Sequence, residues 1–125
     1  DIEDKSKRFK VSEIDQLADY LAARMAESGA YKVIPRQQLM GRLRNQKRDS
    51  YKKCFDENCQ IELGRAVAAE KSLATKLIQV GDQCAISSTL FDLKTETTVG
   101  AASVRTSCSV NALLDAIDKL SQKLL

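Results

Sequence analysis

The sequence predicts an α+β fold, α/β in the broad sense: a two-layer sandwich in which a mixed sheet, ending in an antiparallel three-stranded meander, packs against helices. Three observations carry this prediction. Residues 72–106 fall into strand-like runs broken by the turn-forming GDQ and LKTE stretches. Val110, Leu113, Leu114, Ile117, Leu120 and Leu124 recur at spacings of three and four, the apolar stripe of a helix. A chain of 125 residues, 43% apolar and 30% charged, suits one soluble domain, and a single proline with five glycines leaves no linker, so residues 1–125 read as one unit.

Taken in order, residues 1–11 are charged and aperiodic apart from Ile2, and read as a loop or the tail of a preceding strand. Ser12, with Asp15 three residues on, gives a capping-box-like start to a helix over about residues 13–28. Its stripe is Ile14, Leu17, Leu21 and Met25, and Ser28-Gly29 ends it. The run YKVI at 31–34 is β-branched, lies between Gly29 and Pro35, and reads as a short strand. Pro35 suits the start of a second helix with a narrow apolar face of Leu39, Met40 and Leu43. Asp56 or Asn58 can cap a third, carrying Ile61, Leu63 and Val67, while Gly64, Ala66, Ala68 and Ala69 permit close approach to a neighbour.

Strands at 72–80 and 84–92 flank the turn at 81–83, and a strand at 97–106 follows the turn at 93–96. Ser109 caps the last helix, whose Leu and Ile stripe reads as core, because the meander otherwise lacks a helix to cover it. The order is therefore helix, strand, helix, helix, three strands, helix.

Composition removes several chemistries. With no histidine there is no Ser/His/Asp or Cys/His nucleophilic pair, no imidazole metal ligand and no histidine pH switch. No tryptophan and only six other aromatic residues supply a base-stacking platform poorly. Carboxylates such as Asp15, Asp19, Glu57 and Glu62 are scattered, with no spacing that pairs an acid with a base. The chain thus reads as a non-enzyme without catalytic residues, cofactor or metal. No run reaches the ~20 apolar residues of a membrane span. The start at Asp1 without methionine reads as a processed product or an excised domain.

Charge is concentrated in one segment. Arg36, Arg42, Arg44, Lys47, Arg48, Lys52 and Lys53 face the single acid Asp49, a local charge of +6 in a chain of net +3. These residues are the candidate surface for a partner or an anion, nucleic acid included. A solvated helix face whose arginine stems cover the core edge accounts for the same pattern, and the modest whole-chain charge favours that plainer reading.

Four cysteines stand at 54, 59, 84 and 108. Two disulfides, four reduced thiols and a zinc site are the alternatives, and the spacing, which lacks any C-x-x-C pair, suits zinc and thiol exchange least. If the second and third meander strands pair around residues 94 and 95, Cys84 lies opposite residue 105 or 106, within reach of Cys108. Cys54 and Cys59 would close a much smaller loop, with less gained.

Two stretches resemble a known family. SGAYKVIPRQQL is similar to a signature of bacterial envelope domains related to the amino-terminal domain of TolB, the curli-export lipoprotein CsgG and the flagellar protein FlgT. ELGRAVAAEKSLATKLIQVGDQCAISSTLFDLKTE resembles a later stretch of those domains, with Leu63, Gly64, Ala69, Asp92 and Thr95 at its small or turn positions. The cysteines and the VIPR variant look closest to a disulfide-containing subgroup of envelope lipoproteins. The resemblance implies a first strand, of which residues 1–3 are the remnant, giving the order (β)αβααβββα. It also implies a protein-contact module of the periplasm or outer membrane, with a protein partner and membrane attachment only through an upstream lipid anchor. Glu96 departs from the pattern, standing where the family has a turn glycine. The anion- or nucleic-acid-binding reading of 36–53 remains the alternative function.

Overall fold

The computed structural model describes residues 2–34 and 69–125. The helices expected over 36–53 and 54–70 therefore lie, but for Ala69 and Glu70, outside the described residues, as do Cys54, Cys59 and all seven cations of the basic segment.

The sheet is built on β2 (Lys71–Val80), β3 (Gln83–Asp92) and β4 (Thr97–Ser107), three successive antiparallel strands. The three-residue β1 (Ile2–Asp4) pairs in parallel with β2, Ile2 opposite Thr75, so the four-stranded sheet is mixed, in the order β1-β2-β3-β4. Helices α1 (Val11–Glu27) and α2 (Val110–Leu124) cover one face. This is the α+β arrangement the sequence predicts.

Period-two alternation explains which face is covered. Thr75 and Leu77 of β2, Cys84, Ile86 and Ser88 of β3, and Val104 of β4 are buried on the inner side. Against them α1 sets Ile14, Leu17, Leu21 and Met25, and α2 sets Leu113, Ala116, Ile117, Leu120 and Leu124. Leu113, Ile117 and Leu120 are fully buried, each stabilising the fold by about 1.5–3 kcal/mol through removal of apolar surface from water. Ser109 caps α2, its hydroxyl accepting from the Ala112 N–H at 3.1 Å.

One polar pair interrupts this core. Thr75 and Ser88 are directly opposed across β2 and β3, and their hydroxyls lie 2.7 Å apart, so each satisfies the other. Between the helices, the Tyr20 hydroxyl donates to Asp118 Oδ1 at 2.6 Å, and Arg24 Nε lies 3.0 Å from the same oxygen. The arginine contact is an ion pair without hydrogen-bond alignment, since Nε finds no acceptor in line. Accepting the phenol proton, Asp118 holds the Tyr20 pKa above its ordinary value.

Local chemistry shifted several boundaries. The first helix begins at Val11, with Lys10 at its N-cap, because the Glu13 carboxylate reaches back to accept the Lys10 N–H at 3.0 Å; Ser12 and Asp15 are inside the helix. Residues 31–34, expected as a strand, have no regular structure. A β-branched run becomes a strand only where an edge pairs with it, and none of the four described strands does so. The β2–β3 turn is two residues, Gly81 and Asp82, with positive φ at Gly81 alone, the sign pattern of a type II′ hairpin.

The β3–β4 loop holds four residues. The Asp92 carboxylate accepts the N–H groups of Lys94 at 2.9 Å and Thr95 at 3.1 Å, and the loop closes with Glu96 at φ 57°. A β-branched or long side chain is unfavourable there, which is why glycine suits the position. Further along, β4 carries a bulge: Leu90 faces Gly100 while Phe91 faces Thr98, leaving Val99 unpaired and 51% exposed. Lys123 Nζ donates to the Ser103 carbonyl of this same edge strand at 3.0 Å.

Candidate functional site

One end of the molecule gathers the chain features that packing does not explain. The Lys5 N–H donates to the Leu77 carbonyl at 2.8 Å, so the loop 5–10 leaves the sheet toward the end where β2 turns at Gly81. There β4 finishes, with Ser107 opposite Gln83, and α2 starts; α1 starts directly from the loop. Both helices therefore turn their N-termini, the positive ends of their dipoles, to this end.

The loop reads KSKRFK, four cations in six residues. The Asp4 carboxylate accepts both the backbone N–H and the hydroxyl of Ser6, which turns the chain, and Lys7 adopts φ 55°. Phe9 is partly buried and packs on the core, anchoring the loop. Lys5, Lys7, Arg8 and Lys10 are exposed. Lys5 pairs with Glu3 at 3.6 Å, whereas Lys7, Arg8 and Lys10 form no ion pair among the described residues. Beside them Val11 is 68% exposed, and Val80, at the end of β2, 72%.

The outer face of the sheet continues from this end. Ile78, Ala85 and Arg105 share one cross-strand row, and Lys76, Ser87 and Ser103 the next. Ile78 and Val80 are exposed here, a mixed apolar and cationic strip. A shallow cleft of about 190 Å³ on the same face is lined by Glu3, Ala74, Thr75, Lys76, Ser87, Thr89 and Phe91. A second, about 410 Å³, lies at the far end between Ala69, Glu70, Lys71, Asp92, Leu93 and Lys94. Its Asp92 carboxylate is committed to the turn, and the Thr95 and Lys94 N–H groups hold it below the usual carboxylate range. Among the described residues no cluster of three or more Cys, Asp or Glu side chains could hold a metal ion. Also among them, no helix is long and apolar enough to cross a membrane.

Cys84 is buried at the start of β3, directly opposite Thr106, and is joined to Cys108 by a disulfide with Cα atoms 5.2 Å apart. The bond fastens the start of β3, an inner strand, to the start of α2. The basic residues that the sequence singled out, from Arg36 to Lys53, fall outside the described residues. The loop 5–10 was missed because scattered lysines in an aperiodic stretch look solvated. Only the fold reveals that Lys7, Arg8 and Lys10, which form no ion pair among the described residues, sit beside a helix N-terminus.

Solved structures share this fold. The C-terminal domain of LpoB from Escherichia coli matches with a TM-score of 0.68 and 15% identity, over 85% of this chain and 77% of that one. Lipoprotein GNA1162 from Neisseria meningitidis matches with a TM-score of 0.59 and 16% identity, over 86% and 77%. A PelC dodecamer from Paraburkholderia phytofirmans gives 0.58 and 13%, over 99% and 80%. At these identities the likeness is one of fold. No family model and no curated protein matches the chain, so the resemblance to TolB, CsgG and FlgT rests on the sequence motifs alone.

Proposed function

We propose that this domain is a non-enzymatic protein-interaction module of a bacterial cell envelope, held in the periplasm or at the outer membrane. The observation that carries the reading is the shared fold with the LpoB C-terminal domain and with lipoprotein GNA1162. The Cys84–Cys108 disulfide supports an oxidising compartment, and the motif resemblance to TolB-like and CsgG-like domains supports the same setting. The outer sheet face, with exposed Ile78 and Val80 beside Lys76 and Arg105, offers the partner an apolar strip with cationic flanks. The basic segment 36–53 is a second candidate contact surface within this reading.

Photo-crosslinking residues placed at Ile78 and Val80 of the exported full chain test the proposal. A discrete protein adduct in intact envelopes is expected, together with alkylation of cysteine only after reduction. Four thiols that alkylate without reductant, or no adduct from either position, would overturn it.

A further inference from the structure

We propose that Cys108 is the exchange sulfur of this domain, the atom through which a dithiol/disulfide oxidoreductase makes the bond, with Cys84 as the resolving thiol. The two sulfurs differ in access, and exchange depends on which one an incoming sulfur can reach. Cys84 is 1% exposed on the inner side of β3, a strand paired on both flanks, with Gln79 opposite on one side and Thr106 on the other. It belongs to the buried core together with Ile86, Val104 and Leu113. Cys108 lies beyond the last ladder pair, Gln83 with Ser107, and ahead of the Ser109 cap, so it belongs to neither β4 nor α2. It is only partly buried, and its sulfur lies 3.7 Å from the carbonyl oxygen of Asp82 in the exposed β2–β3 turn. One sulfur sits in the core and the other at its rim.

This asymmetry fixes the order of events. In the reduced, folded domain the Cys108 thiolate attacks the disulfide of the oxidoreductase. A mixed disulfide forms on Cys108, and the other enzyme sulfur leaves as a thiolate. Cys84, whose Cα is already at bonding separation of 5.2 Å, then gives up its proton, attacks the Cys108 sulfur and expels the second enzyme thiolate. Two thiols of the domain are oxidised, the enzyme disulfide is reduced to a dithiol, and the two protons pass to it through water. Entry through Cys84 fails at the first step, because the enzyme sulfur has no path from solvent to a side chain inside the core. The second step is the slow one, since Cys84 must carry a charge where water is excluded. The mixed disulfide on Cys108 therefore accumulates. A reductant meets the same obstacle in reverse: attack at Cys108 must expel Cys84 as a buried anion, which protects the finished bond. None of this depends on which protein the outer sheet face meets.

The test uses the full chain. Cys84→Ala keeps Cys108, Cys108→Ala keeps Cys84, and Cys54 and Cys59 are common to both. Each variant, under conditions where circular dichroism shows it folded, is mixed with an aromatic disulfide. Each is also mixed with an oxidoreductase whose second active-site cysteine is replaced by alanine, which traps the mixed disulfide. Tryptic mapping assigns every adduct, because residues 77–94 carry Cys84 and residues 106–119 carry Cys108. Cys108 should react within about ten-fold of its rate in urea, and Cys84 about a hundred-fold or more below its own urea rate, since an inner strand opens only with a large part of the fold. A second measurement needs no substitution. The reduced parent, returned to native buffer, is treated with glutathione disulfide and quenched in acid at intervals; glutathione should appear first, and persist, on residues 106–119. Glutathione appearing as early on residues 77–94, or equal reactivity of the two thiols in native buffer, would overturn the proposal.

Discussion

Removing the bond between Cys84 and Cys108 is the perturbation with the clearest magnitude. The two residues are 24 apart in sequence, and closing a loop of that size in the unfolded chain removes conformational entropy corresponding to about 3.5 kcal/mol at 25 °C. For a chain of 125 residues, unfolding entropy near the midpoint converts 1 kcal/mol into about 4 °C. The Cys84→Ala/Cys108→Ala variant should therefore melt about 13 °C below its parent, a little more if the small buried void at Cys84 fails to close. Both proteins keep Cys54 and Cys59, so whatever those two do is common to the comparison. The assay is thermal and urea unfolding by circular dichroism, with mass spectrometry fixing the oxidation state of the parent. A fall of less than about 4 °C would refute the reasoning, because the bond would then constrain nothing in the unfolded chain that other contacts do not.

Other outcomes follow from single features. Ser88→Ala strands the Thr75 hydroxyl, which is 5% exposed, and should cost about 1–3 kcal/mol; Thr75→Val/Ser88→Ala removes both partners and should recover most of it, and additive losses in urea melts would contradict the pairing. Glu96→Gly relieves a left-handed backbone position and should stabilise by about 0.5 kcal/mol net of the freedom that glycine gains when unfolded; a destabilised variant would show that Glu96 contributes more through its side chain than the backbone loses. Because the Thr95 and Lys94 N–H groups depress the Asp92 pKa, its contribution is complete above the unfolded value of about 3.9 and is lost as pH falls through the folded one. Asp92→Asn should flatten that part of the acid limb in melts between about pH 5 and 2, and an unchanged slope would rule the turn out as its source.

How much of this was legible in the chain depends on whether the deciding interaction was local. The meander was, since its turns are written in Gly81-Asp82 and in Asp92 to Glu96, and its alternation in Cys84, Ile86 and Ser88. The last helix was as well, through Ser109 and the leucine stripe. β1 is different: one buried side chain, Ile2, becomes a strand only by pairing with Thr75, which no local pattern announces. Residues 31–34 show the converse: none of the described strands gives them an edge, and β propensity alone does not make a strand. The start of α1 turned on a competition between Ser12, the better cap by chemistry, and the reach of Glu13 to Lys10. The loop 5–10 was hidden for a related reason. Its charges carry meaning only beside the helix ends that the fold brings to them.

The bulge at Val99 and the lysine on Ser103 set a limit on how copies of this domain can join. A strand approaching β4 would find its rungs out of step at one point and a donor already in place at another. The sheet is in this sense blunted along that border against edge-to-edge pairing. A partner that meets this border does so through side chains and not through a continuing backbone ladder.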